Sequence, residues 1–383
     1  MTSPLVTSID VVQLARTLAD EFRITAAELD RTASFPTANY ARMREAGYLR
    51  APVPVELGGL GCGMFTIARA QQQLARGCAS TALAVNMHLF QVGFAADTWC
   101  KSHAPGVEAL LRRVASEGVV LASTTAEAIV AGDWTPSTTA QRVQGGYRVS
   151  GHKYFVSQAP GMNLVRVAAT DVDTGELLVL LIPADTPGVS VVDTWDTTGM
   201  RATASHDLVL NDVAVPDAAV TLRAPPGAPM RQPDIAGVVT WAEVLMASVY
   251  LGVAEESRAE ALRSIGRGIN SSARNPALTD VLLGELEATF TTALAVRDHI
   301  VSLLDADRCD VQRALAQSIL CRQVVSSHAV ATVDKAAEIG GGRSYFRKSP
   351  LERLSRDVRA ARFHPPAAPT SFQMVGERLR CPL

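Results

Sequence analysis

Three side chains stand out among those in this sequence that can move a proton. Glu243 follows Trp241 in a mostly apolar stretch, His88 lies in another, and His364 stands immediately before Pro365-Pro366. A carboxylate in a dry pocket has its pKa raised toward neutrality and becomes a general base. A histidine titrates near neutral pH without help. Each has a plainer reading: Glu243 as a solvated helix carboxylate, and each histidine as a structural residue. A second set is suited to binding. Phe155 and Ser157 place an aromatic face beside a hydroxyl, Thr124 and Thr125 are adjacent hydroxyls, and Arg201 offers a guanidinium. Gly341 and Gly342, in a run of three glycines, leave room for close backbone approach, or else cap a helix.

The elements that position these residues follow from periodicity. Residues 9 to about 117 read mostly as helices: Val11, Leu14, Leu18 and Phe22 recur at helical spacing, with Ser8 as a candidate N-cap. A short helix at 40–46 ends at Gly47, a Pro- and Gly-rich loop spans 52–63, and helices resume at 64–76 and 80–99. From 119 to 216 the texture turns to short β-branched segments at 147–150, 153–157, 164–170, 176–182 and 208–215. Gly151-His152 and residues 171–175 read as turns between them. This predicts an antiparallel β-domain. No G-x-G-x-x-G follows a strand, so a dinucleotide-binding parallel sheet is not expected. Residues 222–233 carry Pro225, Pro226, Pro229 and Pro233 and read as a linker. Beyond it Val238, Trp241, Leu245, Val249 and Gly252 share one helical face. Long helices at 276–305 and 310–338 complete an antiparallel bundle. The expected class is α+β: helical to residue 118, β from 119 to 221, helical again from 234.

Composition narrows the function. At 383 residues, 48% apolar and 19% charged, the chain can bury a large core. A net charge of −2 without a basic stripe argues against nucleic acid. The longest apolar runs, such as 177–182, fall short of the roughly 20 residues that span a bilayer. The first ten residues show no secretory pattern, so a cytoplasmic address is expected. The six cysteines are scattered without ligand spacing, which predicts reduced thiols and no metal site.

Several motifs, in the same order along the chain, resemble the acyl-CoA dehydrogenase superfamily. Pro54-Val55-Glu56-Leu57-Gly58-Gly59-Leu60-Gly61 is similar to its early Pro-x-x-x-Gly-Gly-x-Gly loop. The segment from Gly146-Tyr147 through Lys153 and Phe155 to Ser157 is similar to its glycine-flanked hairpin, and Gly199-Met200-Arg201 to its Gly-Met/Leu-Arg segment. Glu338-Ile339-Gly340-Gly341-Gly342, followed by Arg356-Asp357, is similar to its flavin-binding tail. The resemblance implies an N-terminal helical domain, a middle β-domain and a C-terminal four-helix bundle. It also implies FAD and a homodimer or homotetramer. Phe155 would pack on the flavin ring, Ser157 would bond near N5, and Thr124 and Thr125 would lie by the flavin. Gly341 and Gly342 would approach its ADP half, and Arg201 would lie near an acyl or phosphate oxygen.

The departures concern the chemistry. The family's usual glutamate falls eight residues after the Asp of the Arg-Asp pair, and here that position is Pro365, which cannot be a base. Some relatives place the glutamate on the first helix of the bundle, and Glu243 lies within one position of it. The family's Arg-x-x-Phe-Gly is absent, with Arg263, Arg267 and Arg274 the nearest substitutes. The Thr-Glu-Pro-x-x-Gly-Ser-Asp stretch keeps only Thr, Glu127 and Gly132-Asp133. Residues 359–364 also resemble the C-terminal segment of flavin-dependent monooxygenases of this fold. In those enzymes a histidine at His364 handles a proton in oxygen chemistry, and His88 falls near the substrate side. The leading expectation is an FAD enzyme oxidising an acyl-CoA or carrier-linked acyl chain, with Glu243 as base and an electron acceptor as partner. The alternative is a two-component monooxygenase fed by a flavin reductase. A third reading is a catalytically silent member that acts as an acyl-carrier- or subunit-binding protein.

Overall fold

Asp10 caps the first helix, its carboxylate accepting the Val12 and Gln13 N–H groups at 3.0 and 3.1 Å. The structure, a computed structural model, describes residues 9–124, 127, 135–227, 231–266, 276–306 and 310–380. Ser8, Thr125, Gly132, Asp133, Arg267 and Arg274 lie outside the described residues. The N-terminal helices are α1 (Val11–Thr32), α2 (Thr37–Glu45), α3 (Met64–Gly77), α4 (Ala79–Ser102) and α5 (Pro105–Glu117). The apolar stripe of α1 is buried at Val11, Leu18 and Phe22, as its spacing predicts.

The middle domain contains β1 (Leu121–Thr124), β2 (Thr139–Val143), β3 (Gly146–Val156), β4 (Leu164–Asp171), β5 (Leu177–Pro183), β6 (Val189–Val192), β7 (His206–Pro216) and β8 (Val220–Ala224). They form one sheet ordered β6-β7-β3-β2-β4-β5-β8, with β1 also paired to β4. Two expectations change. The sheet is not purely antiparallel, because β1 and β2 both run parallel to β4. Gly151-His152 is not a turn either: β3 runs straight through it, paired to β2 and β7, with a register shift between Val149 and Gly151. Glycine is required there because a Cβ would stand 2.2 Å from the Thr138 hydroxyl. The strand β8 also takes the first residues of the expected linker.

Strand alternation decides what the sheet shows to the rest of the molecule. On β4, Val165 and Val167 point into the sheet's own core. Arg166 and Ala168 point the other way, toward the helices.

The C-terminal part contains α6 (Pro233–Gly266), α7 (Pro276–Asp305), α8 (Val311–Gly340), α9 (Pro350–Asp357) and α10 (Ala368–Arg380). Helix α6 is long and apolar enough to cross a membrane by length and composition, which the sequence reading did not register. Yet 78% of its qualifying window is buried inside the protein. It packs against α3, α4 and α8. Contact is close: a Cβ on Gly252 would lie 2.2 Å from the Gln72 carbonyl oxygen of α3, and one on Gly93 of α4 would lie 2.4 Å from the Trp241 ring.

The three parts meet at the end of α9. Arg356 donates to both carboxylate oxygens of Asp30, on α1, at 2.9 and 2.6 Å, and to the Thr198 carbonyl at 2.9 Å. Asp357 accepts the Met200 N–H at 2.6 Å. Gly199 fits between them because a Cβ would meet the Arg356 carbonyl oxygen at 2.4 Å.

Gly252→Ala should therefore destabilise the protein by about 1–3 kcal/mol through overpacking. Gly284→Ala on α7, where nothing lies within 4 Å, should be neutral or stabilising by up to about 1 kcal/mol. Urea unfolding of the two variants measures the contrast; equal effects would show that the α3–α6 approach is not constraining.

Candidate active site

A cavity of about 680 Å³ opens between the helix-facing side of β1, β4 and β5, the helix α6, the segment 195–200 and the segment 356–366. Of the residues singled out in the sequence, Thr124, Phe155, Ser157, Glu243 and His364 lie on its wall. His88, Arg201, Gly341 and Gly342 do not, and Thr125 is outside the described residues.

Phe155 reaches the cavity through backbone distortion. The register shift between Lys153 and Val156 leaves Phe155 at φ +56°, a conformation that a bulky residue adopts only when its surroundings enforce it. The residue stays 64% exposed, and its ring meets Trp195 edge-on, with centroids 6.0 Å apart. Ser157 begins a chain of hydroxyls: Ser157 Oγ to Ser205 Oγ at 2.8 Å, Ser205 Oγ to Thr203 Oγ1 at 2.8 Å, and Thr203 Oγ1 donating to the Met200 carbonyl at 2.9 Å. The carbonyl can only accept, so the Thr203 proton goes there. Ser205 must then donate to Thr203, and Ser157 to Ser205. This leaves Ser157 with its lone pairs toward the cavity. Thr124 spends its proton on the Tyr154 carbonyl at 2.9 Å.

Glu243 is buried, and Arg322 Nε donates to its Oε2 at 2.5 Å. Burial pushes the carboxyl up to about 7 against the pull of Arg322. The same guanidinium donates to the Pro366 carbonyl at 2.6 Å, tying the ion pair to the segment that carries His364. His364 Nε2 is hydrogen-bonded to the Tyr250 hydroxyl. Burial, aided by the nearby Arg322 charge, pushes the imidazole down to about 3, so it is neutral at working pH. Tyr250 has no other acceptor among the described residues. Its proton therefore goes to Nε2, and the His364 proton sits on Nδ1 as a donor.

His88 and Arg201 have structural duties. His88 is fully buried, with Nε2 at 2.8 Å from the Leu49 carbonyl and Nδ1 accepting the Leu121 N–H at 3.2 Å. Both ring nitrogens are spent, and burial pushes it down to about 4. Arg201 donates to the Asp30 carbonyl at 2.9 Å and the Thr197 carbonyl at 2.7 Å, gripping the end of α1. Gly341 ends α8 with φ +63°, which answers to the helix-cap reading, and Gly342 starts the following turn.

Sequence reasoning missed Trp195, Arg166, Arg322 and Tyr250. Two of them left a signal: Arg166 interrupts an otherwise apolar strand, and Arg322 occupies a core position of α8 between Ile319 and Val325.

Comparison with known proteins agrees with this architecture. Three family profiles match in order: the acyl-CoA dehydrogenase N-terminal domain over residues 10–100, its middle domain over 130–213 and its C-terminal domain over 244–368. The chain is 33% identical to the putative acyl-CoA dehydrogenase YdbM of Bacillus subtilis (strain 168), covering 91% of each chain. It belongs to the acyl-CoA dehydrogenase family and is a flavin-dependent enzyme. It is also 33% identical to the amino sugar nitrososynthase RubN8 of Streptomyces rubradiris, covering 90% of this chain and 83% of that one. An X-ray structure of KijD3 in complex with FMN and dTDP-3-amino-2,3,6-trideoxy-4-keto-3-methyl-D-glucose superposes with a TM-score of 0.86 at 27% identity, covering 99% and 95% of the two chains.

The neutral state of His88 has a pH signature. The unfolded chain takes up this proton near 6.5 and the folded chain only near 4, so acid favours unfolding across that window. The stability advantage of wild type over His88→Gln should be full above pH 6.5. It should shrink as pH falls toward 4, by about 1.4 kcal/mol per unit, in urea titrations at several pH values.

Proposed function

We propose that this enzyme is a monooxygenase that takes a reduced flavin from a separate reductase and oxygenates a small nucleophilic substrate, amines being the first class to test. The observation that carries the reading is His364 on the cavity wall, hydrogen-bonded to the buried Tyr250. It places a neutral imidazole donor beside Pro365, where the family's usual carboxylate is missing. The nitrososynthase likenesses support it independently.

The residues present fit a flavin. Phe155 and Trp195, standing edge to face, each offer an aromatic surface, Ser157 an acceptor and His364 a donor, in a cavity large enough for a ring system. When bound and reduced, the flavin supplies two electrons to O₂, so that one oxygen atom enters the substrate and the other leaves as water. Ser157, with its proton committed to Ser205, suits the N–H of a reduced ring better than the bare nitrogen of an oxidised one. His364 donates a hydrogen bond from Nδ1 toward an oxygen in the cavity, and the Tyr250 hydroxyl on Nε2 holds the ring in that tautomer. Arg322, neutralised by Glu243, holds the Pro366 carbonyl and so positions His364. The apolar wall from α6 keeps water out.

We infer FMN rather than FAD, because the family's Arg-x-x-Phe-Gly motif is absent and Gly341 and Gly342 lie off the cavity. A role for those glycines toward the cofactor requires a flavin held by a second copy, in the homodimer or homotetramer that the family resemblance implies. The second reading, α,β-oxidation of an acyl-CoA or carrier-linked thioester with Glu243 as base, is favoured by one observation. A carboxyl raised to about 7 on the cavity wall can take a proton at neutral pH.

Purified protein should bind FMN, followed by quenching of its fluorescence, more tightly than FAD. With a flavin reductase, NADH and oxygen it should oxygenate members of an amine panel. His364→Ala should lower that rate about 100-fold or more. Anaerobic acyl-CoAs should leave bound oxidised flavin unbleached. Bleaching that disappears in Glu243→Gln would overturn the monooxygenase reading in favour of the dehydrogenase.

A further inference from the structure

Arg166 is a cation without a counterpart on the cavity wall. It sits mid-strand on β4, in register with Ser123 of β1 and Leu181 of β5, and strand alternation turns it from the sheet core toward the cavity. Two other arginines at this wall are committed: Arg356 to Asp30 and Glu352, and Arg359 to Asp334. Among the described residues Arg166 has no hydrogen bond and no ion pair. Asp234, at the start of α6, acts on it only through its field. Burial pushes the guanidinium down to about 10, the cost of holding an unpaired charge in a cavity whose wall also carries apolar groups such as Val179 and Val239. Such a charge is stabilised when the occupant supplies the oxygens. The planar fork of arginine fits phosphate and carboxylate with paired hydrogen bonds.

We propose that Arg166 is the oxyanion anchor of the cavity, binding the phosphate or carboxylate of a molecule that enters there. This rests on the reading of the cavity as a flavin and substrate site. The oxyanion has two possible sources, the flavin's own phosphate or an acidic group on the substrate. Both place the same demand on the arginine, and they separate experimentally.

Full-length wild type, Arg166→Met and Arg166→Lys are titrated with FMN and with riboflavin, which has the same ring without the phosphate. The FMN-saturated proteins are then titrated with phenyl phosphate and with phenol by calorimetry. If the flavin phosphate is held, wild type prefers FMN over riboflavin by about 10- to 100-fold, and Arg166→Met loses the preference. If a substrate group is held, the FMN preference survives the substitution. The preference for phenyl phosphate over phenol, of similar size, is then the one that collapses. In either case Arg166→Lys, which keeps the charge without the fork, retains part of the preference and covers the case in which the methionine variant fails to fold. Both preferences staying within about twofold of wild type in the folded variants would overturn the anchor while leaving the flavin reading intact. Failure of wild type to bind any flavin would overturn the site reading and the anchor together.

Discussion

The ion pair between Asp30 and Arg356 is the constraint on which the cavity depends. It joins the last turn of α1 to the end of α9, and the same guanidinium holds the Thr198 carbonyl of the segment leaving the sheet. Three parts of the chain, far apart in sequence, are thereby fixed at one point. The neighbouring Asp357 is buried, and burial pushes its carboxyl up to about 6. Its bond to the Met200 N–H makes that burial tolerable. Arg201 adds a second grip on the Asp30 carbonyl. Trp195 and the segment 195–200 form one side of the cavity, so its shape is set by this junction rather than by any single domain.

A second buried pair shapes the opposite side. Arg322 and Glu243 lie on different helices, and their charges neutralise each other where water cannot. Buried ion pairs often contribute little net stability and act instead by fixing geometry. Here the geometry concerns the chain after α9, since Arg322 also holds the Pro366 carbonyl and so the stretch that presents His364. The carboxylate that sequence reasoning assigned to proton abstraction is thus also the counterion of a structural arginine. The arginine occupies Oε2 and pulls the carboxyl's pKa down against the effect of burial, which weakens the case for a free base.

The fold was legible to the extent that it rests on periodicity. The long helices α7 and α8 fall within two residues of their expected bounds, because their apolar spacing and flanking turns are local signals. The ordered motifs from Pro54 to Asp357 carried the family. Properties of the assembled molecule were not legible. Gly151 reads as a turn residue, yet it sits mid-strand paired to Leu210, and it is glycine because Thr138, just before β2, leaves no room for a Cβ. His88 and Arg201 have the residue types of a substrate site, but both ring nitrogens of His88 and the Nε and Nη1 of Arg201 are held by backbone groups from other elements. Arg166 was passed over because its meaning comes from the absence of a nearby partner, which only three dimensions reveal.

The junction and the chemistry are linked through Met200. Its N–H is bound by Asp357, and its backbone adopts φ +53°, which turns the carbonyl toward Thr203. That carbonyl sets the direction of the hydroxyl chain, because Thr203 must donate to it and each serine must then donate in turn. The acceptor that Ser157 shows to the cavity is thus a consequence of where the helical parts clamp the loop. On the other side, the tyrosine proton fixes the sense of His364 as a donor. Ser157 and His364 thus face the cavity as an acceptor and a donor whose senses are set by groups behind them. The electrostatic cost of a mismatch is large where water cannot compensate. The sense of the Ser157 hydroxyl therefore originates in the packing of three domains around Asp30, Arg356 and Asp357.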